Sequence, residues 1–154
     1  MILQPGSRAP EFTLLNQFGQ TVRLESLLAE GPVTLVFFPL AFSGICQGEL
    51  CELRDNFSIF EAGDTQLVAV SVDSKHTLRA WSEAQSYEFP LLADFWPHGA
   101  VAAAYVAFDD ATGVAQRATF VIGADGIVRA SFVTPRGQAR SLEQYREALA
   151  AVSA

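Results

Sequence analysis

The stretch VTLVFFPLAFSGICQGEL, residues 33–50, decides the fold because it carries the chain from a strand into a helix. Residues 33–39 form a continuous apolar run, which is typical of a strand buried on both faces of a sheet. Apolar side chains then recur at helical spacing, and Cys46 lies in line with them: Leu50, Leu53, Phe57 and Phe60. The pattern predicts a helix with Cys46 in its first turn, on the side that faces the core.

The surroundings of Cys46 separate three interpretations: a small buried hydrophobe, half of a disulfide, or a reactive thiolate. A helix N-terminus offers unpaired backbone N–H groups and the positive end of the helix dipole, which favour a thiolate. Ser43 can place its hydroxyl in the same small space, and Pro39 can wall the pocket without adding a competing N–H donor. These three residues suit a nucleophile that attacks a small polar molecule.

Length and composition set the general class of the protein. The 154 residues, 50% hydrophobic and 18% charged, predict one globular domain over residues 1–154. The net charge of −7 and the scattered basic residues argue against nucleic acid or a membrane surface as a partner. Without a signal-like N-terminus or an apolar run of about 20 residues, we expect a cytoplasmic, reducing location, where a permanent disulfide is disfavoured.

Strand and helix signals alternate along the rest of the chain. Residues 11–24 predict an N-terminal β-hairpin, residues 66–73 a second buried strand, and residues 118–134 a late hairpin. Ser74 is a predicted helix cap, and Ser141 with Gln144 forms a predicted capping box. The order predicts the α/β class and a thioredoxin-like fold, with a central mixed β-sheet flanked by helices.

At this point the residues resemble a known family. Pro39, Ser43 and Cys46 form the pattern P-x-x-x-S-x-x-C, which is similar to the peroxidatic-cysteine motif of the peroxiredoxins. The resemblance extends over nearly the whole chain, through GSRAPEFTL, FFPLAFSGICQGEL, FPLLADFWPHGAV and RATFVIGADG. The middle two segments are most similar to the alkyl hydroperoxide reductase E group, whose members typically work with one catalytic cysteine.

The resemblance implies a role for each motif residue. Cys46 would be the peroxidatic nucleophile, beside a wall formed by Pro39. Ser43 stands where the family more often has threonine, so the hydroxyl is kept and a methyl contact is lost. Arg117 matches the arginine that lies against the thiolate and the peroxide, and Glu49 matches the acidic residue that orients that arginine. Glu49 also suits the first turns of a helix for electrostatic reasons alone.

The implied activity is a thiol-dependent peroxidase for hydrogen peroxide and organic hydroperoxides, with peroxynitrite as a further candidate. The Cys46 thiolate would attack the terminal peroxide oxygen and become sulfenic acid. The implied reductant is a thioredoxin-like or glutaredoxin-like protein or a low-molecular-weight thiol. No cofactor and no metal are expected, since two cysteines spaced C-x4-C with distant histidines match structural-zinc spacing poorly.

Cys51 leaves an alternative open. The spacing C-x4-C is also where the bacterioferritin comigratory protein (Q-type) peroxiredoxins often have a resolving cysteine. In an intact helix, Cα atoms five residues apart lie about 8 to 9 Å from each other, and a disulfide requires less than about 7 Å. Resolution by Cys51 would therefore require the first helical turns to unwind. The prediction favours a bystander thiol and keeps an atypical two-cysteine peroxidase as the alternative.

Two other functional classes are compatible with a thioredoxin-like fold. A thiol–disulfide oxidoreductase of this fold would normally use C-x-x-C, which the chain lacks, whereas a peroxide sensor or redoxin stays open. We also predict a two-fold homodimer, because Phe42 and the segment DFWPHG, with Trp96, fall in regions expected to be loops or helix starts. The alternative is that Phe42 and Trp96 line the core or the peroxide pocket. His76 and His98 receive no role.

Overall fold

The computed structural model describes residues 2–153, and none of the helices in that range is long and apolar enough to cross a membrane. The strands are β1 (Thr13–Asn16), β2 (Thr21–Arg23), β3 (Val33–Phe37), β4 (Gln66–Ser71), β5 (Leu91–Ala93), β6 (Phe108–Asp109), β7 (Val114–Ala115), β8 (Arg117–Ile122) and β9 (Val128–Thr134). The helices are α1 (Leu24–Glu30), α2 (Gly44–Asp55), α3 (Ser58–Ala62), α4 (Lys75–Gln85), α5 (Ala100–Ala104) and α6 (Leu142–Ser153).

A seven-stranded mixed sheet forms the centre of the molecule, in the order β2-β1-β5-β4-β3-β8-β9. β3, β4 and β5 are parallel to one another, whereas β1 pairs with β5, and β8 with both β3 and β9, in antiparallel fashion. β1 and β2 form the predicted N-terminal hairpin, and β8 and β9 form the late one. The predicted α/β class and mixed central sheet are confirmed.

β3 is buried along its whole length, and its alternating side chains divide the core in two. Leu35 and Phe37 join the apolar cluster on one face of the sheet, which includes side chains from α1, α5 and the N-terminal segment. Val36 and Phe38 join the cluster on the other face, which includes side chains from α2, α3, α4 and α6. Cys46 belongs to this second cluster and has no exposed surface, as predicted.

The predicted helix caps are present. Ser74 Oγ accepts the N–H of Thr77 at 3.2 Å and so begins α4. At the start of α6, Gln144 donates its N–H to Ser141 Oγ at 3.2 Å, and Ser141 donates its own N–H to Gln144 Oε1 at 2.9 Å. This reciprocal pair is a capping box, because each side chain satisfies a backbone donor of the other residue.

The predicted apolar stripe after Cys46 is right for Leu50 and Leu53 and wrong for Phe57. α2 ends at Asp55, and a separate short helix, α3, begins at Ser58. The backbone N–H and the side-chain amide of Asn56 both donate to the carbonyl of Glu52, at 3.0 and 2.9 Å. Asparagine side chains that bond to the backbone in this way favour helix ends over helix interiors. The break leaves Phe57 37% exposed, while Phe60 is fully buried in α3.

Candidate active site

The chain reaches the site through the short loop that joins β3 to α2, residues 38–43. Phe38 extends the parallel pairing beyond β3 by donating its N–H to the Val70 carbonyl at 3.0 Å, and Pro39 is buried directly after it. Phe42 has a φ of +65°, in the left-handed region, and Ser43 is the N-cap residue of α2. This tight turn places Cys46 in the first turn of the helix, facing the core.

Ser43 lies at the site, with its hydroxyl proton directed away from the helix. The hydroxyl donates to the Leu40 carbonyl at 2.9 Å and makes no capping bond to the backbone of α2. The side chain lines the same cavity as Arg117. In this conformation Ser43 stabilises the loop, and its oxygen keeps acceptor capacity toward the cavity.

Arg117 and Glu49 meet Cys46 in a buried cluster. Arg117 Nη1 donates to Cys46 Sγ at 3.2 Å and to Glu49 Oε1 at 2.7 Å. The Arg117 side chain is 3% exposed and that of Glu49 is 2% exposed. Arg117 begins β8, and its Nε donates to the Arg136 carbonyl at 2.7 Å. The guanidinium is therefore held by Glu49 and by the Arg136 carbonyl, and its Nη1 contacts the Cys46 sulfur.

Arg140 completes this cluster, and the sequence analysis missed it. Its Nε donates to Glu49 Oε2 at 2.9 Å, its Nη2 to Glu49 Oε1 at 3.1 Å, and its backbone N–H to Glu49 Oε2 at 2.7 Å. Nη1 donates to the Ala118 carbonyl at 3.0 Å and to Thr119 Oγ1 at 3.1 Å. The one sequence signal was a basic residue directly before the Ser141 capping box, which does not identify a buried ion pair.

The buried cluster beside Cys46 carries a net positive charge. Burial raises the pKa of Glu49, but hydrogen bonds from Arg140 and the charges of Arg140 and Arg117 outweigh it, so the pKa lies below its ordinary value. Two guanidinium groups and one carboxylate leave one uncompensated positive charge away from water.

Glu49 makes the fold sensitive to acid. Because its folded-state pKa is lowered, its contribution to stability is present above the ordinary value of 4.5 and is lost as the pH falls through the folded-state pKa. We expect Glu49→Gln to flatten the loss of unfolding free energy below this pH. At neutral pH the variant should be less stable by about 3 to 5 kcal/mol, since two buried cations lose their anionic partner. Urea unfolding at a series of pH values measures both effects.

The matched control for this prediction is Glu83→Gln. Glu83 pairs with Arg79 at 2.9 Å on the surface of α4, where both side chains are mostly exposed. Exposed pairs contribute at most about 1 kcal/mol, so this variant should follow the parent protein at every pH. If the unfolding free energy of Glu49→Gln fell with acid pH as steeply as that of the parent protein, the assigned role of Glu49 would be contradicted.

An open cavity of about 550 Å³ leads from the surface to Arg117. Its walls include the apolar side chains Leu40, Ile45 and Val114, together with Pro39 and Ser43. Cys46 is not among the lining residues and has no exposed surface, but its sulfur contacts Arg117, which lines the cavity. Within residues 2–153, no three His, Cys, Asp or Glu side chains come together in a way that could hold a metal ion.

Cys51 lies apart from this cluster. Its sulfur is 3.3 Å from the hydroxyl of Tyr87 and 3.5 Å from Gln85 Oε1, and the residue is half-buried. Both cysteines are free thiols, and α2 is continuous across the two positions. Helix geometry therefore keeps their Cα atoms about 8 to 9 Å apart, beyond disulfide range.

The aromatic residues singled out for an interface are exposed. Phe42 is 52% exposed and Trp96 is 81% exposed. Phe95, next to Trp96, is 54% exposed. In this chain Phe42 and Trp96 therefore belong to the surface, and neither of them lines the core or the cavity at Arg117.

Comparison with known proteins identifies the family to which the chain belongs. The profile of the AhpC/TSA family matches residues 5–131. The chain is 45% identical over 153 residues to alkyl hydroperoxide reductase E of Mycobacterium tuberculosis and of Mycobacterium bovis, covering 99% of this chain and 100% of those proteins. It is 31% identical over 162 residues to the chloroplastic 2-cysteine peroxiredoxin of Chattonella marina var. antiqua, covering 99% of this chain and 82% of that protein.

Solved structures show the same architecture. The crystal structure of peroxidoxin BcpB from Mycobacterium tuberculosis superposes with a TM-score of 0.86 at 29% identity, covering 98% of this chain and 97% of that one. The AhpC of Enterococcus faecalis gives a TM-score of 0.86 at 25% identity, covering 98% and 93%. The protein is thus of the peroxiredoxin class, on a thioredoxin-like fold. The chain belongs to the AhpC/TSA family and is a thiol-dependent peroxidase.

Proposed function

We propose that Cys46 is the peroxidatic residue and that Arg117, Glu49, Ser43 and Pro39 form its immediate environment. The observation that carries this proposal is the contact of 3.2 Å between the buried Cys46 sulfur and Nη1 of Arg117, which lines an open cavity. Substrates are hydrogen peroxide and organic hydroperoxides, with peroxynitrite as a further candidate.

The reaction follows from the cluster. The Cys46 thiolate attacks the terminal oxygen of R–O–O–H, the O–O bond breaks, and the leaving RO⁻ takes a proton to become ROH. Cys46 is left as sulfenic acid. Negative charge moves from sulfur to the leaving oxygen, and Arg117 lies where it can follow that charge. Glu49 and Arg140 act as positioning residues, because Glu49 holds the guanidinium of Arg117, Arg140 holds Glu49, and neither touches a reacting atom.

The reductant in this proposal is an external thiol, either a thioredoxin-like or glutaredoxin-like protein or a low-molecular-weight thiol. One thiol displaces water from the sulfenic acid to give a mixed disulfide, and a second thiol releases Cys46. The intact α2 helix supports this over resolution by Cys51. The alternatives are an atypical two-cysteine peroxidase, favoured only by the presence of Cys51 in the same helix, and a thiol-based peroxide sensor.

Mass spectrometry of the peroxide-treated protein tests the assignment. One equivalent of peroxide should add one oxygen at Cys46, and an added small thiol should convert it to a mixed disulfide at the same residue. The Cys51→Ser variant should give the same products. A Cys46–Cys51 bridge in the parent protein would establish the two-cysteine alternative, and an unmodified Cys46 would refute the proposal.

A two-fold homodimer through the exposed aromatic residues is part of the proposal. Phe42, Phe95 and Trp96 are large apolar side chains that a monomer leaves in water, and such residues are common interface anchors. We expect the parent protein to sediment as a dimer at micromolar concentration and Phe42→Asp to sediment as a monomer, because a buried unpaired carboxylate is costly. Phe18→Asp, at an equally exposed aromatic in the β1–β2 turn, is the control. A monomeric parent or a dimeric Phe42→Asp variant would argue against this interface.

Two broader expectations accompany these proposals. The single domain predicted for residues 1–154 is supported by one sheet that draws its strands from residues 13 to 134. The reducing, cytoplasmic setting stays a prediction from the sequence. It agrees with a mechanism that needs external thiols, since glutathione and thioredoxin systems keep such thiols reduced there.

A further inference from the structure

Asp73, two residues beyond β4, reaches across to the loop that precedes α2. Its Oδ2 accepts the N–H of Ala41 at 2.8 Å and the hydroxyl of Ser71 at 2.6 Å. The oxygen of Ser71 in turn accepts the N–H of Asp73 at 3.3 Å. The carboxylate is thus fixed on its own strand end while it holds the neighbouring loop.

The loop that Asp73 holds contains Phe42, a residue with a strained backbone next to the site. Phe42 has a φ of +65°, a conformation that a bulky residue adopts only when its surroundings impose it. Ala41, whose N–H is bound by Asp73, directly precedes Phe42, and Ser43 directly follows as the N-cap of α2. The bond to Asp73 therefore opposes relaxation of this turn and fixes where α2 begins.

The two half-reactions of Cys46 place opposite demands on this loop. A peroxide brings two small oxygens to a sulfur that must stay close to Arg117, at the 3.2 Å seen here. A thiol reductant must bring a sulfur and its carbon substituents into line with the S–O bond of the sulfenic acid, and Cys46 has no exposed surface. A closed first turn of α2 favours oxidation, and an opened turn favours reduction.

We propose that Asp73 is a positioning residue that holds the 39–43 loop closed and thereby sets the relative rates of Cys46 oxidation and Cys46 sulfenic acid reduction. The inference rests on the proposed role of Cys46. In the first step the thiolate and ROOH give sulfenic acid and RO⁻, which takes a proton from the solvent to become ROH. In the second step the sulfenic acid and a thiol R′SH give the mixed disulfide and water. Asp73 touches no reacting atom in either step.

The experiment measures the two rates separately by stopped-flow fluorescence. Trp81 Nε1 donates to Gln47 Oε1 at 3.1 Å, so its emission reports on the first turn of α2, and a Trp96→Phe background removes the second indole. The variants are Asp73→Ala, Asp73→Asn and Ser71→Ala, oxidised with hydrogen peroxide and reduced with dithiothreitol. Asp125→Asn is the control, because Asp125 also accepts a loop N–H, from Ile127 at 3.1 Å, beyond the far end of β8.

We expect Asp73→Ala to oxidise about tenfold more slowly and to be reduced several-fold faster than the parent protein. Asp73→Asn keeps one acceptor oxygen and should show smaller changes in the same directions, and Ser71→Ala smaller ones still. Asp125→Asn should match the parent in both steps. Loss of folding would slow oxidation without speeding reduction. Slower oxidation together with faster reduction therefore identifies a positioning role for Asp73.

Two results overturn the proposal. Unchanged oxidation in Asp73→Ala and Ser71→Ala would show that the loop is held by other contacts, and a parallel fall of both rates would show a general loss of structure. If Asp73→Ala fails to fold, Asp73→Asn and Ser71→Ala decide by the same criterion. If Cys46 of the parent protein is not oxidised at all, the proposed role of Cys46 is refuted. If the parent is oxidised and the Asp73 and Ser71 variants react at the parent rates, only the role of Asp73 is refuted.

Discussion

Cys46→Ser is expected to lose peroxide reduction by about a thousandfold or more. A serine hydroxyl in the same pocket stays protonated near neutral pH and forms no equivalent of the sulfenic acid. The oxidation step therefore lacks its nucleophile, and the reduction step lacks its substrate. The loss should be in turnover and not in folding, because the two side chains have similar size. Consumption of hydrogen peroxide in the presence of excess dithiothreitol measures it, with thermal unfolding recorded alongside.

Cys51→Ser is the matched control for this prediction. Its sulfur contacts Tyr87 and Gln85 and is held away from the Arg117 cluster, so the first oxidation should proceed within about twofold of the parent rate. Turnover retained in Cys46→Ser, or oxidation lost in Cys51→Ser, would reverse the assignment of the two thiols.

Arg117→Met should slow oxidation of Cys46 by about a hundredfold. In the proposed mechanism the guanidinium would contribute twice, once by favouring the thiolate and once by stabilising the charge that develops on the leaving oxygen. Rates measured across a range of pH separate the two contributions. At a pH where Cys46 of the variant is fully ionised, thiolate formation no longer limits its rate. We expect the variant still to oxidise more slowly than the parent protein there, because the charge on the leaving oxygen is not stabilised.

Arg117→Lys sharpens this test. Lysine keeps the positive charge but cannot contact Cys46, Glu49 and the Arg136 carbonyl from one planar group, as the arginine does. We expect it to recover thiolate formation and only part of the oxidation rate. Complete recovery of the Met variant at high pH would show that Arg117 acts on ionisation alone. The Met variant needs a check of stability, because Glu49 loses one of its two cations in it.

The sequence predicted those parts of the fold that depend on local signals. β3 was evident because both of its faces are buried, and an apolar run of that length has few alternatives. The caps at Ser74 and Ser141 were evident because their partners lie three residues away. The break at Asn56 was missed, since an apolar spacing that continues to Phe60 does not reveal that a side-chain amide closes the helix early.

The same distinction applies to the candidate site: residues close together in sequence could be predicted, and residues brought together only by the fold could not. Pro39, Ser43, Cys46 and Glu49 lie within one short motif, and Arg117 was reached only through resemblance to a family. Arg140 lies 91 residues from Glu49 and Asp73 lies 32 residues from Ala41, so their contacts exist only after the sheet has formed. No local pattern distinguishes these charges from those that remain in solvent.

The division of the core by the sheet has a consequence for how the enzyme moves. α2 packs on one face of β3 only, whereas Phe37 on the other face contacts Tyr105 and Phe120, with ring centroids 5.5 and 5.8 Å away. The proposed opening of the first turn of α2 would therefore break contacts in one half of the interior and leave the other half packed. Such an opening is a sub-global fluctuation, with a free energy below that of complete unfolding. Global stability therefore depends on both halves of the core, whereas this opening depends only on the half that contains α2.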